Sequence, residues 1–275
     1  MISLYVSRFL KNKLAVTGAV ILILLCIAAI TAPWLTPYEP QTQDITNRLA
    51  SPTKSHIMGT DDLGRDVLTR VIYSTRISLT IGLIAVSMYI SIGTILGLIA
   101  GYYRGFLETV IMRLVDIMLC FPVFFLLLTV IAYVGPSIYN IMIVIGVVSW
   151  TGVTRLVRAE TISIRERDFI LAARGLGLSD IRILLVHILP NVAAPILVAA
   201  TLGIGGAILA ESGLSFLGLG VQPPTPSWGN MLTAGKDYIY FAWWLSVFPG
   251  LSILTTVLAF NLLGEGLRDV LDPRM

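Results

Sequence analysis

The sequence has 275 residues, of which 56% are hydrophobic and only 13% are charged. Soluble domains have about a quarter of their residues charged, so this composition excludes an ordinary soluble protein and indicates a membrane protein. The net charge of +3 is too small and too dispersed to predict nucleic-acid binding. Cys26 and Cys120 both lie in apolar runs, which gives no basis for a disulfide framework and predicts two buried thiols.

Six apolar segments approach the ~20 residues that a helix needs to cross a bilayer. The sequence therefore predicts an all-α integral membrane protein with six transmembrane helices. The predicted spans are Leu14–Ala32, Leu79–Tyr102, Val110–Tyr133, Ile138–Thr154, Val192–Ala210 and Phe241–Leu263. We interpret the first as a retained membrane helix, because its apolar stretch is long for a signal peptide and the best cleavage point would precede Pro33.

Basic residues predict the orientation of these spans. If the N-terminus is cytoplasmic, the segments on that side hold more than twice as many Lys and Arg residues as the segments outside. The positive-inside rule therefore predicts that both termini lie in the cytoplasm. The remaining soluble stretches are an external loop over 33–78, a cytoplasmic segment over 155–187 and an external loop over 211–240.

The first external loop contains a predicted amphipathic helix over Arg65–Arg76. Asp66 lies four residues before Arg70, which favours an ion pair on that helix. Its apolar side carries Val67, Leu68, Val71 and Ile72. We expect this helix to lie along the outer membrane interface.

A histidine and three aspartates cluster around the start of that helix. His56, Asp61, Asp62 and Asp66 have the chemistry of metal ligands. A single histidine leaves the ligand set incomplete, and Asp62 is placed to cap the helix. We therefore favour a structural role for the cluster over a metal site.

Polar and proline residues interrupt several predicted spans. Asp116 follows Arg113 by three residues, so we expect a local ion pair one turn apart. Pro122, Pro195 and Pro249 each remove one backbone hydrogen bond, so we expect kinks at these positions.

The cytoplasmic segment predicts a short helical hairpin over Asp168–Pro190. A first helix over Arg165–Arg174 is followed by Gly175 and Gly177, which permit a tight reversal of the chain. Such a hairpin lies outside the membrane.

The second helix of this hairpin is predicted to begin at a Ser179 cap, with Asp180 at the positive end of its dipole. Apolar residues then recur at i, i+3, i+4 and i+7, and Pro190 is expected to end the helix. The predicted apolar stripe consists of Ile181, Leu184, Leu185 and Ile188. The stripe needs a partner, which is either the bilayer surface with the protein's own helix ends or another protein.

The outer end of the fifth span carries an ionisable residue. Glu211 has no basic residue near it in sequence, and it either lines a path through the membrane or reaches the outer interface. The candidate residues for such a path are Glu211, Ser212 and Phe216. In the same span, Gly203, Gly205 and Gly206 predict close helix packing.

The hairpin resembles the EAA motif of ABC importer permeases in its Ala172-Ala173 pair, its Gly177 and its final Leu189-Pro190. In that family the hairpin inserts into a groove on a separate ATP-binding subunit. The resemblance implies that the ATPase-coupling residues are Asp168, Leu171, Ala172, Ala173, Arg174, Gly177, Leu189 and Pro190. Leu171 stands where the family most often has Glu, so the resemblance implies no ion pair with the ATPase there.

Other stretches narrow the resemblance to the C-type subunit of the peptide and nickel branch. They are His56–Asp66, Leu214–Gly220, Trp228-Gly229 and Asn261–Pro273. The signature positions of the external loop are Gly59, Thr60, Asp61, Gly64, Arg65 and Asp66.

The resemblance implies a type I ABC importer permease fold. Residues 1–275 are then expected to form a single transmembrane permease domain. It would consist of a first helix over 14–32, an external loop over 33–78, and a five-helix core over 79–275 that carries the coupling hairpin at 155–190.

The same resemblance implies a subunit of an ATP-driven importer that forms half of a pathway for di- or oligopeptides in a bacterial or archaeal plasma membrane. Its implied partners are a homologous B-type permease, two ATP-binding subunits, an extracellular substrate-binding protein and membrane lipid, without nucleic acid. The sequence contains no G-x-x-x-x-G-K-[ST] loop, so ATP and magnesium are expected on the partners, and this chain is expected to carry no cofactor and to be no enzyme by itself.

Two other functions stay open at this point. The chain could fill the same role for nickel or a metal chelate, because the binding protein selects the cargo in this family. A more distant alternative is an ATP-independent channel or secondary transporter, which inverted internal repeats would favour.

Overall fold

Long α-helices dominate the structure, a computed structural model that describes residues 2–271, with side chains described from Ser7 onward. The helices are α1 (Ile2–Lys11), α2 (Lys13–Leu35), α3 (Val67–Tyr103), α4 (Gly105–Leu119), α5 (Val123–Val134), α6 (Ile138–Val148), α7 (Thr151–Arg165), α8 (Asp168–Gly175), α9 (Asp180–Phe216), α10 (Trp228–Lys236) and α11 (Trp244–Leu271). Within 2–271 no strand forms, and an isolated bridge joins Thr60 and Asp66. The prediction of an all-α protein is confirmed.

Five helical stretches are long and apolar enough to cross a membrane. They are α2, α3, α6 with α7, α9 and α11. A sixth span is present if α4 and α5 are counted together, although these two helices meet at an angle of 84°. The predicted single helix over Val110–Tyr133 is therefore wrong. Pro122 stands at the break and has no N–H to continue the helical hydrogen bonds, so α5 starts afresh at Val123.

Helix α3 contains both the predicted interfacial helix and the predicted second span. It begins at Val67, with Asp66 as its cap, since the Asp66 carboxylate accepts a hydrogen bond from the Thr69 N–H at 2.8 Å. No proline follows Arg76 in this helix, and the helix continues without interruption to Tyr103. The irregular chain thus ends at Asp66, residues 67–78 belong to α3, and Asp62 is not the cap.

Helix α9 likewise joins two predicted elements. The helix does not end at Pro190, because residues Ile183–Ile188 form a π-helical segment that leads directly into the membrane part of α9. The N–H of Leu189 bonds to the carbonyl of Leu184, five residues earlier. This wider turn rotates the following residues about the axis, so the apolar face departs from simple helical periodicity.

The residues buried by this segment differ from the predicted stripe. Ile183, Leu184 and Ile188 are buried, whereas Ile181 is 67% exposed and Leu185 is 56% exposed. The four residues that were predicted to form one stripe therefore divide between a buried and an exposed face. The π-helical turn is the physical reason, since the i, i+3, i+4 pattern assumes 3.6 residues per turn.

The two ends of α3 define the two ends of the helix bundle. Near its start, the indole N–H of Trp228 donates to the Val71 carbonyl at 3.1 Å, which places α10 there. Near its last turn, the Tyr102 hydroxyl donates to Asp180 at 2.6 Å, which places the hairpin there. We call these the loop end and the hairpin end.

A row of glycines on α3 allows α7 to approach closely. Gly93, Gly97 and Gly101 recur every four residues and face α7. Cβ atoms placed on Gly93, Gly97 and Gly101 would lie 2.6, 2.7 and 2.6 Å from the Cβ atoms of Val153, Val157 and Thr161. Since such short separations leave no room for any side chain, the two helices pack backbone against side chain over two turns.

Both cysteines are exposed on this chain and free, so the prediction of buried thiols is wrong. In a membrane helix the lipid-facing side is as apolar as the protein-facing side. An apolar neighbourhood in sequence therefore does not reveal which side a small residue occupies.

Candidate functional site

Helix α8 packs on the bundle by one face only. Ile170 and Ala173 are buried in the same cluster as Ile183 and Ile188. On the other face, Leu171 is 53% exposed, and Phe169 and Leu176 also project outward. The hairpin end therefore presents an apolar surface on a short, well-supported helix.

Gly177 makes the turn that ends α8. Its φ of +76° lies in the left-handed region, where glycine is favoured. The N–H of Leu178 bonds to the Ala173 carbonyl at 3.2 Å, and the N–H of Gly177 bonds to the Arg174 carbonyl at 2.9 Å. This pair of bonds is a Schellman motif, which explains the glycine at this position. Gly175, by contrast, stays helical as the last residue of α8.

The predicted coupling residues divide by exposure. Asp168, Leu171, Ala172, Gly177 and Pro190 are exposed, Arg174 and Leu189 are half-buried, and Ala173 is buried. Ala173 consequently supports α8 from below, whereas Leu171 and Ala172 are available to a partner. Coupling to an ATPase stays a prediction for all eight.

Tyr102 is a residue of this site that sequence reasoning missed. It is 3% exposed, and besides its hydrogen bond to Asp180 its ring lies 4.8 Å from the guanidinium carbon of Arg174 and 5.9 Å from that of Arg165. An aromatic residue at the end of a span is usually read as an interfacial anchor. Only the fold shows that its neighbours are Arg165, Arg174 and Asp180.

Ion pairs tie α4 to α7 beside the hairpin. Arg158 donates to Glu108 through Nε at 2.8 Å, and Arg155 donates to Asp116 at 2.7 Å. The predicted pair between Asp116 and Arg113 is therefore not the one that forms. Asp116 finds its partner 39 residues away, on a helix that sequence spacing does not connect to it.

An open cavity of about 370 Å³ lies between α3, α5, α6, α7 and α9. Its lining is mostly apolar and includes Tyr89, Leu127, Ser149, Gly203 and Gly206. A Cβ on Gly203 would overlap the Tyr89 hydroxyl at 1.6 Å, whereas a Cβ on Gly206 would meet nothing within 4 Å. The predicted close packing thus applies at Gly203, while Gly206 lies at open space.

The residues predicted for a path do not line this cavity, and their role in transport stays a prediction. Glu211 is fully buried and accepts a hydrogen bond from the Ser215 hydroxyl at 2.7 Å, Ser212 is 6% exposed, and Phe216 is 43% exposed. Helix α10 covers this cluster closely, because a Cβ on Gly229 would lie 2.6 Å from the Ser212 Cα. Glu211 therefore does not reach the outer interface, and none of the three lines the cavity.

The signature residues of the first loop form a compact polar network. Asp61 pairs with Arg65 at 2.6 Å and with Arg70 at 3.5 Å, while Asp66 pairs with His56 at 2.9 Å. The predicted pair between Asp66 and Arg70 is therefore wrong. Over the described residues, no group of three or more His, Cys, Asp or Glu side chains is arranged to hold a metal ion.

Backbone contacts anchor this loop to the bundle. The Thr60 carbonyl accepts a hydrogen bond from the indole N–H of Trp244 at 3.1 Å. Gly64 has a φ of +73° and lies against the backbone of Asp44. The hydroxyl of Thr46 donates to the Asp44 carboxylate and holds the pKa of that carboxyl below its usual value. The loop is consequently a folded element of the loop end.

We expect Gly64→Ala to destabilise the protein more than Gly105→Ala does. Both glycines have positive φ, which costs an alanine about 1 kcal/mol. At Gly64 the added Cβ would also lie 1.8 Å from the Asp44 carbonyl oxygen, whereas at Gly105 it would meet nothing within 4 Å. Thermal unfolding in detergent measures both variants. Equal shifts in Tm would show that the loop moves freely away from Gly64.

Two known protein families match segments of this chain. The family described as binding-protein-dependent transport system inner membrane component matches residues 93–275. The chain belongs to this family. A second family, the N-terminal TM domain of oligopeptide transport permease C, matches residues 2–52. This inner membrane component is therefore a multi-pass protein of the bacterial plasma membrane.

Relatives match this inner membrane component over nearly its whole length. A dipeptide transport system permease protein of Alkalihalophilus pseudofirmus is 48% identical over 96% of this chain and 87% of the relative. A di/tripeptide transport system permease protein of Pseudomonas aeruginosa is 44% identical over 98% and 91%. A glutathione transport system permease protein of Escherichia coli is 45% identical over 98% and 89%. These findings confirm the resemblance to C-type permeases.

The fold has a counterpart among solved structures. The MetNI methionine ABC transporter, in an inward-facing conformation, matches with a TM-score of 0.60 over 74% of this chain and 98% of that one. At 17% identity this match shows the fold alone. The inner membrane component thus has the type I ABC importer permease fold, as predicted. It is a membrane component of an ABC importer complex.

Proposed function

We propose that this chain is the C-type membrane subunit of an ATP-driven importer of di- or oligopeptides. It forms half of the translocation pathway and pairs with a homologous B-type permease above two ATP-binding subunits. An extracellular substrate-binding protein delivers the cargo. The relatives named for dipeptide and di/tripeptide transport support peptides as the cargo. ATP and magnesium bind to the partner subunits.

The main observation in support of this proposal is the apolar outward face of α8. An exposed apolar patch at a polar end of a protein usually marks an interaction site. Leu171 and its exposed neighbours form such a patch on a helix whose opposite face is locked into the bundle. The excess of basic residues at this end supports a cytoplasmic location, where ATP is available. A groove on an ATP-binding subunit is the occupant that fits this location.

The coupling mechanism follows from the connection between α8 and the cavity. Closure of the ATP-binding subunits displaces α8, and α7 follows because residues 166–167 alone separate the two helices. Helix α7 carries α3 with it along the glycine row, since interlocked helices move as a unit rather than sliding freely. Both helices line the cavity, so their movement alters its opening. The alternation between inward-open and outward-open states is a shift between two packings.

Reconstitution of the complete complex tests the proposal. Proteoliposomes that contain this chain, the B-type permease, the ATP-binding subunits and the binding protein are expected to import a labelled dipeptide only when ATP is supplied. Liposomes with this chain alone are expected to import nothing. Import without ATP would favour the channel or secondary transporter, and transport of a nickel chelate in place of the dipeptide would favour the metal importer.

Filling the cavity is expected to reduce peptide import. Gly206→Leu introduces a side chain at open space in the cavity wall, so it narrows the path without an internal clash. We expect import to fall about tenfold, because a large side chain here obstructs the path directly. The importer complex should assemble as it does with the native chain. The matched control is Gly250→Leu, since Gly250 also meets nothing within 4 Å but lies on α11 away from the cavity. Equal import by both variants would show that the cavity is not part of the translocation pathway.

A further inference from the structure

Tyr102 touches every helix of the hairpin. Its hydroxyl donates to Asp180 at the start of α9, and its ring lies beside Arg174 of α8 and Arg165 at the end of α7. The residue itself belongs to the last turn of α3, one position after Gly101 of the glycine row. A single side chain thus connects α3 to three separate segments.

These contacts are of the stronger polar kinds. A hydrogen bond to an ionised carboxylate is shorter and about twice as strong as one between neutral groups, and the distance of 2.6 Å from Tyr102 to Asp180 fits this class. The guanidinium group of Arg174 lies within the ~6 Å at which a cation is attracted to an aromatic face. Burial of the Tyr102 ring keeps water away and strengthens both interactions.

Without Tyr102, α8 would be held mainly by apolar contacts. Its inner face offers only Ile170 and Ala173 to the buried cluster, and the helix is eight residues long. Apolar contacts are non-directional, so they permit a short helix to tilt or slide. The directional contacts of Tyr102 to Arg174 of α8 and to Asp180 of α9 fix the orientation of the hairpin relative to α3.

We propose that Tyr102 is a positioning residue that passes displacement of α8 to α3 and so to the cavity. The inference rests on the proposed function, in which an ATP-binding subunit moves α8. From Tyr102, α3 extends over about 20 Å to Tyr89 in the cavity wall, at 1.5 Å per residue. A helix of this length acts as a lever, so a small change at the hairpin end shifts the side chain that packs on Gly203.

The test measures peptide imported per ATP hydrolysed by the reconstituted complete complex. Tyr102→Phe keeps the ring but removes the hydroxyl, and we expect it to lower this ratio about fivefold. Tyr102→Leu also removes the aromatic face, and we expect a loss of at least about tenfold. Asp180→Ala should resemble Tyr102→Phe, and the double variant should be no worse than either alone because both remove one interaction.

The control is Tyr103→Phe, which removes a hydroxyl from the neighbouring residue. Tyr103 is 44% exposed, and its hydroxyl forms no hydrogen bond within the described part of the chain, so the import ratio of this variant should equal that of the native chain. The ATP-binding subunits should co-purify with every variant in native amount. An unchanged import ratio in Tyr102→Phe and Tyr102→Leu would overturn the inference, and so would a loss of subunit binding that accounts for the whole defect. Failure of the native complex to bind its ATPase or to import would instead refute the proposed function.

Discussion

Leu171→Asp is expected to release the ATP-binding subunits and to reduce ATP-driven peptide import by at least about 100-fold. Leu171 is 53% exposed on this chain, at the centre of the outward face of α8. Burial of a leucine in a partner's groove stabilises a complex by about 1.5–3 kcal/mol, and a carboxylate buried there without a partner costs more. A combined loss above about 3 kcal/mol corresponds to more than 100-fold in affinity. Co-purification on a tagged permease measures binding, and labelled dipeptide uptake measures import.

Leu171→Met is the matched control, because it keeps an apolar side chain of similar volume at the same place. It should retain the ATP-binding subunits and most of the import activity. Leu171→Asp should leave the permease itself folded, since Leu171 belongs neither to the buried cluster beneath α8 nor to the residues packed against that cluster. Native binding and import by Leu171→Asp would mean that α8 is not the docking element, whatever the family resemblance implies.

The hairpin illustrates what local sequence patterns predict well. Its position and its reversal at Gly177 were predictable, because a glycine after a short helix is the usual C-terminal signal. Its buried face was not, because a π-helical turn over Ile183–Ile188 changes the periodicity. No residue in that run is diagnostic of a π-helix. The predicted stripe therefore divides, with Ile181 and Leu185 exposed and Leu184 and Ile188 buried, while docking of the hairpin on an ATP-binding subunit stays a prediction.

Polar partners on different helices are a second feature that the sequence does not predict. The rules for helices predict partners three or four residues apart, which gave Arg113 for Asp116. The structure instead pairs Asp116 with Arg155, and it connects Tyr102 to Asp180 across 78 positions. Such partners depend on which helices lie side by side. Sequence spacing within one helix carries no information about that arrangement.

The glycine row on α3 was not among the sequence predictions, and only the fold identifies α7 as the helix that packs on it. Within this row, Gly97 lies close to both a side chain and the backbone of α7. A Cβ at this position would lie 2.7 Å from the Val157 Cβ and 2.8 Å from the Thr154 carbonyl oxygen. The second atom belongs to the backbone, so no change of rotamer relieves the overlap.

Gly97→Leu is therefore expected to prevent correct folding of this permease. The leucine must force α3 and α7 apart, and the cost of overpacking, about 1–3 kcal/mol or more, adds to the loss of contacts at Gly93 and Gly101 on either side. Because proteins are stable by only about 5–15 kcal/mol, we expect a steep fall in monodisperse protein from detergent extracts and a large drop in Tm. Gly250→Leu should extract normally, since it places the same side chain at open space.

A compensating pair separates this steric explanation from a general intolerance to change at Gly97. Gly97→Ala alone should destabilise the protein, because its Cβ already meets both atoms. Val157→Gly alone should also destabilise the protein, because Val157 is fully buried. In the double variant the side-chain contact is gone and the Thr154 carbonyl stays in place, so we expect a loss smaller than the sum of the two single losses. Strictly additive losses would point to the backbone contact as the dominant cost at Gly97. Native stability of Gly97→Leu itself would show that α3 and α7 lie further apart than the glycine row requires. In that case movement of α8 would have no interlocked route through α7 to α3, and Tyr102 would be the main connection between the hairpin and the cavity.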